Sequence, residues 1–514
     1  MSVRLSQKTG FGKGKGLVLC TTGEGSLIAG LIFDRVSDMK KCHRLLIRCS
    51  IILIIFDLVI SPMAFCITIQ EEEELSEELL KVIEEQLDLI QDPFVVAYVN
   101  KIGQNILASM PTQPFNYRFY VVKQHVYNAF ATPAGHIFIN SGLLAALENE
   151  EELAGILAHE IAHVVSRHIS QRIDRSPKIG LATLAGIAAG IFIGVGGAAA
   201  LGNAVVAGSM AAGQSASLAF SREDELQADQ LALDYLYQAG YGANGLLTSM
   251  QKIRSKQWFG TDQVPDYLLT HPASEERMAY IDTYLASNPV PKTNQRSIDA
   301  DKFRFVRTTV LGKHSNGQNA LAAFESQLKT HPQDTILLYG KALALAQLGE
   351  YPNSVIQLRK ALEKDALNPL LLKELGRIYF LEGQYNKALQ TLEGSFGLAP
   401  EDSESLFYLS RAHMALGNLD PAADGFSTYI KKNPKEAEAY RFLGNIYGMQ
   451  EKLGLAHYHL GKYNQMKGRW KTAMVHLKKA QARITDPKKK EEIESMLKQA
   501  KKAANREARE KDNG

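Results

Sequence analysis

The spacing of apolar and polar residues predicts helices and two short strands in the first part of the chain. Between about Leu79 and Met110 the apolar residues recur with a helical period. The stretches FNYRFYVV (115–122) and HIFINSGLL (136–144) are rich in aromatic and β-branched residues, which favour strands. The connector NAFATPAG (128–135) carries turn-forming residues. We therefore expect a small β-sheet within a mainly α fold.

A further helix is predicted after the second strand. Asn149 is suited to cap it, and Glu152 follows three residues later, as in a capping box. The apolar face of this helix comprises Leu153, Ile156, Leu157 and Ile161.

Small residues recur every 34 positions in the C-terminal half, after a linker NPVPKTNQ (288–295). This is the period of the tetratricopeptide repeat, in which small residues let paired helices pack closely. The pattern shifts by 17 positions, or one helix, around residues 450–460. We expect about four repeats and extra helices over 310–485, then a charged, solvated tail over 486–514. The two repeating series are Ala342, Gly376, Ser410, Gly444 and Ala320, Ser354, Ala388, Ala422.

Two other segments bear on the location of the protein. Residues 39–66 have a basic stretch, an apolar run and then small residues, which predicts a signal peptide or an uncleaved anchor. Residues 1–38 form an unassigned extension, and Met39 is a candidate true start. Residues 179–220 carry no charge, and the first 24 of them are long enough to cross a bilayer. Tightly packed helices beside a substrate cleft are the alternative that we favour for this segment.

Composition excludes some classes of site and partner. The formal net charge of +3 gives no reason to expect a nucleic-acid partner. All four cysteines lie within the first 66 residues. The rest of the chain therefore has neither a disulfide framework nor cysteine metal ligands, which suits an oxidising compartment.

The sequence GILAHEIAHV (155–164) contains the strongest chemical signal. His159 and His163 are four residues apart, so both imidazoles project from one face of a helix and can hold a zinc ion, with Glu160 beside them as a base. A third histidine at the spacing of metzincins is excluded, because that position is Ile169. Glu225 offers a carboxylate ligand instead. Asp229, four residues later on the same helical face, can accept the outer N–H of a ligating histidine.

These motifs together resemble those of the gluzincin metallopeptidase family that includes the CAAX prenyl protease. The resemblance rests on HExxH (159–163), on ExxAD (225–229) after an Ala/Gly-rich stretch, on THP (270–272) and on the segment NAFATPAGHIFINSGLL (128–144). It implies a metallopeptidase domain over 67–295, followed by an α-solenoid of tetratricopeptide repeats.

The resemblance also implies roles for single residues. His159, His163 and Glu225 would bind one Zn²⁺ per chain, with Glu160 as the general base. His271 would lie near the metal, either as a displaceable ligand or as a group that steadies the oxyanion. In addition, we expect the strand with His136, Ile137 and Phe138 to offer a free edge to an extended substrate.

The function implied is that of a zinc endopeptidase in the periplasm of a bacterium, with residues 179–220 as a candidate membrane contact. It would act on misfolded or stalled envelope proteins, chiefly those of the outer membrane. The repeats would recruit these clients or the outer-membrane assembly machinery. The competing hypothesis is a chaperone-like binding protein with a regulatory or latent zinc site, although such a protein has no need for a base at Glu160.

Overall fold

A small sheet and the helices around it form the N-terminal part of the protein. The computed structural model describes residues 67–174, 220–258, 266–289 and 296–512. The elements up to residue 289 are α1 (Ile69–Gln86), α2 (Pro93–Leu107), β1 (Arg118–Val122), β2 (Ala129–Ala131), β3 (His136–Asn140), α3 (Ser141–Ala146), α4 (Glu150–Val165), α5 (His168–Asp174), α6 (Arg222–Ala239), α7 (Asn244–Trp258), α8 (Asp266–Thr270) and α9 (Glu275–Ser287).

The sheet has three strands in the order β1-β3-β2. β3 pairs in parallel with β1, placing Ile137 opposite Phe119, and antiparallel with β2, placing Phe138 opposite Phe130. The expected connector thus contributes a strand of its own. The segment HIFINSGLL is a strand only as far as Asn140, because the chain turns into α3 at Ser141.

The helical pattern expected from Leu79 to Met110 consists of two helices. The chain leaves α1 at Leu87, and Asp92 begins α2 by accepting hydrogen bonds from the backbone N–H groups of Phe94 and Val95. Pro93 is the first residue of α2, where its fixed φ suits a helix start and no N–H is needed.

Helix α4, which carries the HExxH sequence, lies inside the N-terminal core. Asn149 caps it, as predicted, by accepting from the N–H of Glu152 at 2.9 Å. Its residues from Leu153 to Val164 are all buried, so the helix is enclosed on every side rather than on one apolar face. Close approach of α7 requires Gly155, since a Cβ there would come within 2.7 Å of the backbone of Leu246.

The C-terminal part is an array of antiparallel helices. A Cβ at Gly444 would meet Leu460, and one at Gly461 would meet Leu477 in the same way. Helix α19 is therefore the partner of both α18 and α20, which explains the shift of one helix in the repeat. The helices are α10 (Ala300–His314), α11 (Gly317–Thr330), α12 (Thr335–Gln347), α13 (Tyr351–Lys364), α14 (Pro369–Leu381), α15 (Tyr385–Leu398), α16 (Ser403–Ala415), α17 (Leu419–Lys432), α18 (Ala437–Met449), α19 (Leu453–Met466), α20 (Trp470–Gln481) and α21 (Pro487–Asp512).

Most of the segment expected to be a solvated tail, residues 486–514, is the helix α21. Although this helix is highly charged, Ile493, Met496 and Ala500 are buried on one side of it, in contact with the end of the array. The helix thus covers the last apolar surface of the repeats.

Helix α10 joins the two parts of the protein. Arg307 donates from Nε to the carbonyl oxygen of Ala145 at 2.8 Å, and Lys313 Nζ lies 3.1 Å from Asp92 Oδ2. The domain limits at 295 and 310 stay predictions, but these contacts bind the first array helix to the N-terminal part.

Several predicted segments lie outside the described residues. They are the extension 1–38, the signal or anchor segment 39–66 and the uncharged segment 179–220 up to residue 219. Among the helices that are described, none has both the length and the apolar character needed to cross a membrane.

Candidate metal centre

Helix α4 places two imidazoles side by side. His159 and His163 are both fully buried, and their Nε2 atoms are 3.1 Å apart. One turn of helix separates the two residues, so this approach follows directly from their spacing.

Helix α6 brings a carboxylate to the same point. Its start is fixed by a capping box between Ser221 and Asp224, which sets Glu225 in the first turn. Glu225 Oε1 is 3.4 Å from His163 Nε2, and Oε2 is 3.5 Å from His159 Nε2.

His271 completes the cluster from the end of α8. Its Nδ1 lies 3.3 Å from His159 Nε2 and 2.9 Å from Glu225 Oε1, and its ring stacks on Tyr267 with centroids 4.7 Å apart. One donor atom from each of the four residues falls within 4.8 Å of the others. Three imidazoles and a carboxylate that converge in this way fit a metal ion, and nitrogen and oxygen donors suit zinc.

The outer side of His159 is held by two further residues. Its Nδ1 is 3.0 Å from Asp229 Oδ1. Arg277 donates to both oxygens of Asp229, from Nε at 2.6 Å and Nη2 at 2.8 Å, and it also pairs with Glu225. Arg277 thus holds both acidic residues of the ExxAD motif.

The charges of the cluster compensate one another. Burial by itself would raise the pKa of Glu225, but His271 and Arg277 outweigh it and hold that pKa well below its usual range. Burial would lower the pKa of His159, yet hydrogen bonds to Asp229 and Glu225 raise it to about 9. His163 has no such carboxylate behind it, and burial lowers its pKa well below the ordinary value. The two histidines of α4 therefore have different electrostatic surroundings.

Glu160 lies beside the four donors rather than among them. It is buried, and its Oε1 is 3.7 Å from His271 Nε2. Burial raises the pKa of this carboxyl group, which makes the carboxylate a stronger base.

The expectation that His136, Ile137 and Phe138 offer a free strand edge is wrong. β3 is the middle strand of the sheet and is paired along both sides. All three side chains are buried, and His136 Nδ1 lies 3.2 Å from Ser76 Oγ. The reason is that the segment expected to be a connector forms the short strand β2, which pairs with the side of β3 that we expect to be free.

Sequence reasoning missed the position of His168. It follows His163 by five residues, a spacing that turns it off the helical face shared by His159 and His163. In the structure its Nδ1 is 3.0 Å from Nδ1 of His163, on the side away from the four donors. Phe220 also packs on the cluster, and the centroid of its ring lies 4.0 Å from that of the His163 ring.

Comparison with known proteins agrees with the fold. Residues 93–285 match the model of peptidase family M48, and residues 309–369 and 379–446 match tetratricopeptide repeats. The protein is a metalloendopeptidase with an M48 peptidase domain followed by tetratricopeptide repeats. The predicted enzyme class and fold class are thereby confirmed.

Three relatives are informative. The chain is 25% identical over 368 residues to the beta-barrel assembly-enhancing protease of Yersinia pestis, covering 70% of this chain and 72% of that protein. It is 24% identical over 390 residues to the protein of the same name from Escherichia coli strain K12, covering 73% and 77%. Metalloprotease LoiP of Escherichia coli strain K12 is 30% identical over 182 residues, covering 35% of this chain and 66% of LoiP.

Proposed function

We propose that the protein is a zinc-dependent endopeptidase of the bacterial envelope that acts in quality control of outer-membrane proteins. The observation that carries the proposal is the convergence of donor atoms from His159, His163, Glu225 and His271 within 4.8 Å, with Glu160 next to them. A binding protein would need the donors but has no use for a buried carboxylate beside them.

The residues divide the chemistry between them. His159, His163 and Glu225 hold the metal, and Asp229 orients His159. Zinc, when bound, lowers the pKa of a water molecule and polarises the scissile carbonyl group. Glu160 accepts the proton of the attacking water and delivers it to the leaving amine. Enclosure of Glu160 in the core keeps this carboxylate oriented towards the cluster.

His271 acts as a displaceable ligand. Catalytic zinc sites have three protein ligands and an open fourth position, whereas four protein ligands are typical of closed sites. His271 Nδ1 is already among the donor atoms, which favours this role over that of an oxyanion donor. With His271 at the fourth position the site would be latent, and cleavage would then require His271 to move away.

Replacement of His271 by alanine should raise the rate of proteolysis several-fold while the protein keeps one zinc ion. The three remaining ligands suffice for a catalytic site, and the fourth position becomes open. Cleavage of an unfolded protein and zinc per chain would be measured in the variant and in the parent. His331→Ala, at an exposed position of the array, is the control. Retained zinc with a large loss of activity would instead assign His271 to the oxyanion.

Removal of the metal tests the proposal as a whole. The purified chain should contain one zinc ion, a strong chelator should stop cleavage of an unfolded protein, and added Zn²⁺ should restore it. A chain that binds zinc and suppresses aggregation of the unfolded protein, but cuts it under no condition, would favour the chaperone-like alternative. For this experiment His271→Ala should be used beside the parent, so that latency is not mistaken for inactivity.

The repeats supply the surface for clients or assembly partners. Tetratricopeptide arrays bind proteins, and the relatives described above are named for enhancing β-barrel assembly. On neighbouring helices of the array, the Arg411 guanidinium lies 4.4 Å from the ring of Phe380 and 5.2 Å from that of Phe442. These partly exposed aromatic and cationic groups suit a protein partner. Periplasmic location and membrane contact through 179–220 belong to the same proposal.

A further inference from the structure

We propose that His168 is a positioning residue that fixes the tautomer of His163, through a chain of hydrogen bonds from His163 to His168 to Gln227. This inference rests on the metal-binding part of the proposed function and assigns a role to His168, which follows the HExxH motif, and to Gln227, at a variable position of the ExxAD motif.

The geometry allows one assignment of protons along the chain. Nε2 of His163 faces His159 and Glu225, so it must present a lone pair to a metal. The proton of neutral His163 is then on Nδ1, which lies 3.0 Å from His168 Nδ1. Two imidazole nitrogens form a hydrogen bond only when one carries the proton and the other a lone pair. His168 Nδ1 is therefore the acceptor.

The second bond of the chain agrees with this assignment. With Nδ1 of His168 accepting, the proton of that ring is on Nε2. This nitrogen lies 3.0 Å from Gln227 Oε1, which is an acceptor, and 3.7 Å from Asp224 Oδ1. The reverse assignment would direct a proton of His163 into the donor cluster and would leave its Nε2 unable to bind a metal.

The backbone is built to place this ring. Arg167, between α4 and α5, has a φ of 54°, a left-handed conformation that is uncommon for a residue other than glycine. Its side chain is anchored, with Nε donating to Glu72 Oε1 at 2.7 Å. This turn brings His168 back against α4, where the ring is buried. Gln227 belongs to α6, which also provides Glu225, so the chain connects the two helices that supply metal ligands.

The two ligands of α4 are thus oriented by different groups. His159 has the carboxylate of Asp229, itself fixed by Arg277, whereas His163 has a neutral imidazole. Partners of this kind orient a ligating histidine and make it a better donor, and their loss typically costs about 10- to 100-fold in metal affinity.

Zinc affinity of the full chain, measured by competition with a chromogenic chelator, tests the inference separately from proteolysis. His168→Phe keeps a ring but removes the acceptor, and it should weaken zinc binding by about 10- to 100-fold. His168→Asn keeps an acceptor oxygen near the place of Nδ1 and should recover most of the affinity. Gln227→Leu should weaken binding by a smaller factor. His136→Phe is the matched control, because His136 is also a buried histidine but bonds Ser76.

Each outcome has a distinct meaning. The positioning role is supported if zinc affinity is lost in His168→Phe and recovered in His168→Asn. His136→Phe should then bind zinc as tightly as the parent. Equal affinity in the parent and His168→Phe overturns it, as does an equal loss in His168→Phe and His168→Asn. If His168→Phe does not fold, the other two variants still test the inference. It then requires that His168→Asn bind zinc nearly as tightly as the parent and that Gln227→Leu bind zinc more weakly. A parent that binds no zinc would instead contradict the proposed function.

Discussion

Glu160→Gln is expected to reduce cleavage by about 10²- to 10⁴-fold, the usual contribution of a general base. The amide has nearly the shape of the carboxylate but cannot accept the proton of water. Since Glu160 lies outside the four donor atoms, zinc content should remain at one per chain. The measurement is kcat/KM for an unfolded protein substrate together with zinc per chain, in the background of His271→Ala so that the site is open.

Glu151→Gln is a suitable control for this substitution. Glu151 is on the same helix and partly buried, but it lies beside Gly242 rather than beside the donor cluster. The control should cut at nearly the parental rate. Parental activity in Glu160→Gln would remove Glu160 from the mechanism, and loss of zinc from that variant would make it a ligand.

Lys313→Met is expected to destabilise the protein by about 3–5 kcal/mol, the usual cost of removing one member of a buried ionic group. The Lys313 ammonium lies 3.1 Å from Asp92, contacts Glu374 and is 3.9 Å from Glu404. Without it, three largely buried carboxylates lose a shared cation. Asp92 caps α2 of the peptidase, whereas Glu374 and Glu404 belong to α14 and α16, so the junction between the two parts should loosen as well.

The effect should depend on pH. Burial would raise the pKa values of Asp92 and Glu404, but Lys313, the largest opposing charge, acts with Lys373 to hold both pKa values below the ordinary ones. A lowered pKa in the folded state contributes stability above the unfolded value, about 4 for these groups, and that contribution is lost as the pH falls through the folded pKa. The difference between the parent and Lys313→Met should therefore be largest near pH 7 and should shrink below about pH 4.

Urea denaturation at several pH values measures this difference. Lys341→Met is the matched control, because Lys341 pairs with Glu325, whose side chain is about half exposed, and its loss should cost at most about 1 kcal/mol. If both variants lost the same stability at neutral pH, the buried group around Lys313 would not hold the junction.

The sequence predicts those parts of the site that depend on local geometry. His159 and His163 share a helical face at any position in a fold, and the same holds for Glu225 and Asp229. The 34-residue period likewise predicts the array, because each repeat packs on its neighbours alone. A tertiary contact is different. His271 is 112 positions from His159, and nothing local shows that its Nδ1 belongs to the donor set.

The errors have the same origin. The composition of residues 136–140 favours a strand. Whether that strand is central or at an edge depends on the strands that pair with it, and β2 is only three residues long, too short to be predicted from its composition. His168 follows His163 by five residues, which turns it off the ligand face of the helix, and the sequence gives no sign that it contacts His163 instead. Its position depends on the left-handed conformation of Arg167. The sequence does not predict that conformation, because residues other than glycine rarely adopt it.

Helix α19 gives the array a finer modularity than its 34-residue period suggests. Because it is the second helix of one pair and the first of the next, the unit that can be gained or lost without breaking an interface is one helix of about half a repeat. Deletion of 17 positions within this region would bring Leu477 to the place of Leu460 against Gly444, and duplication of 17 positions would repeat the same glycine–leucine contact. The length of the array can therefore change in evolution by an odd number of helices. Because successive helices are antiparallel, such a change would reverse the direction in which the final helix runs.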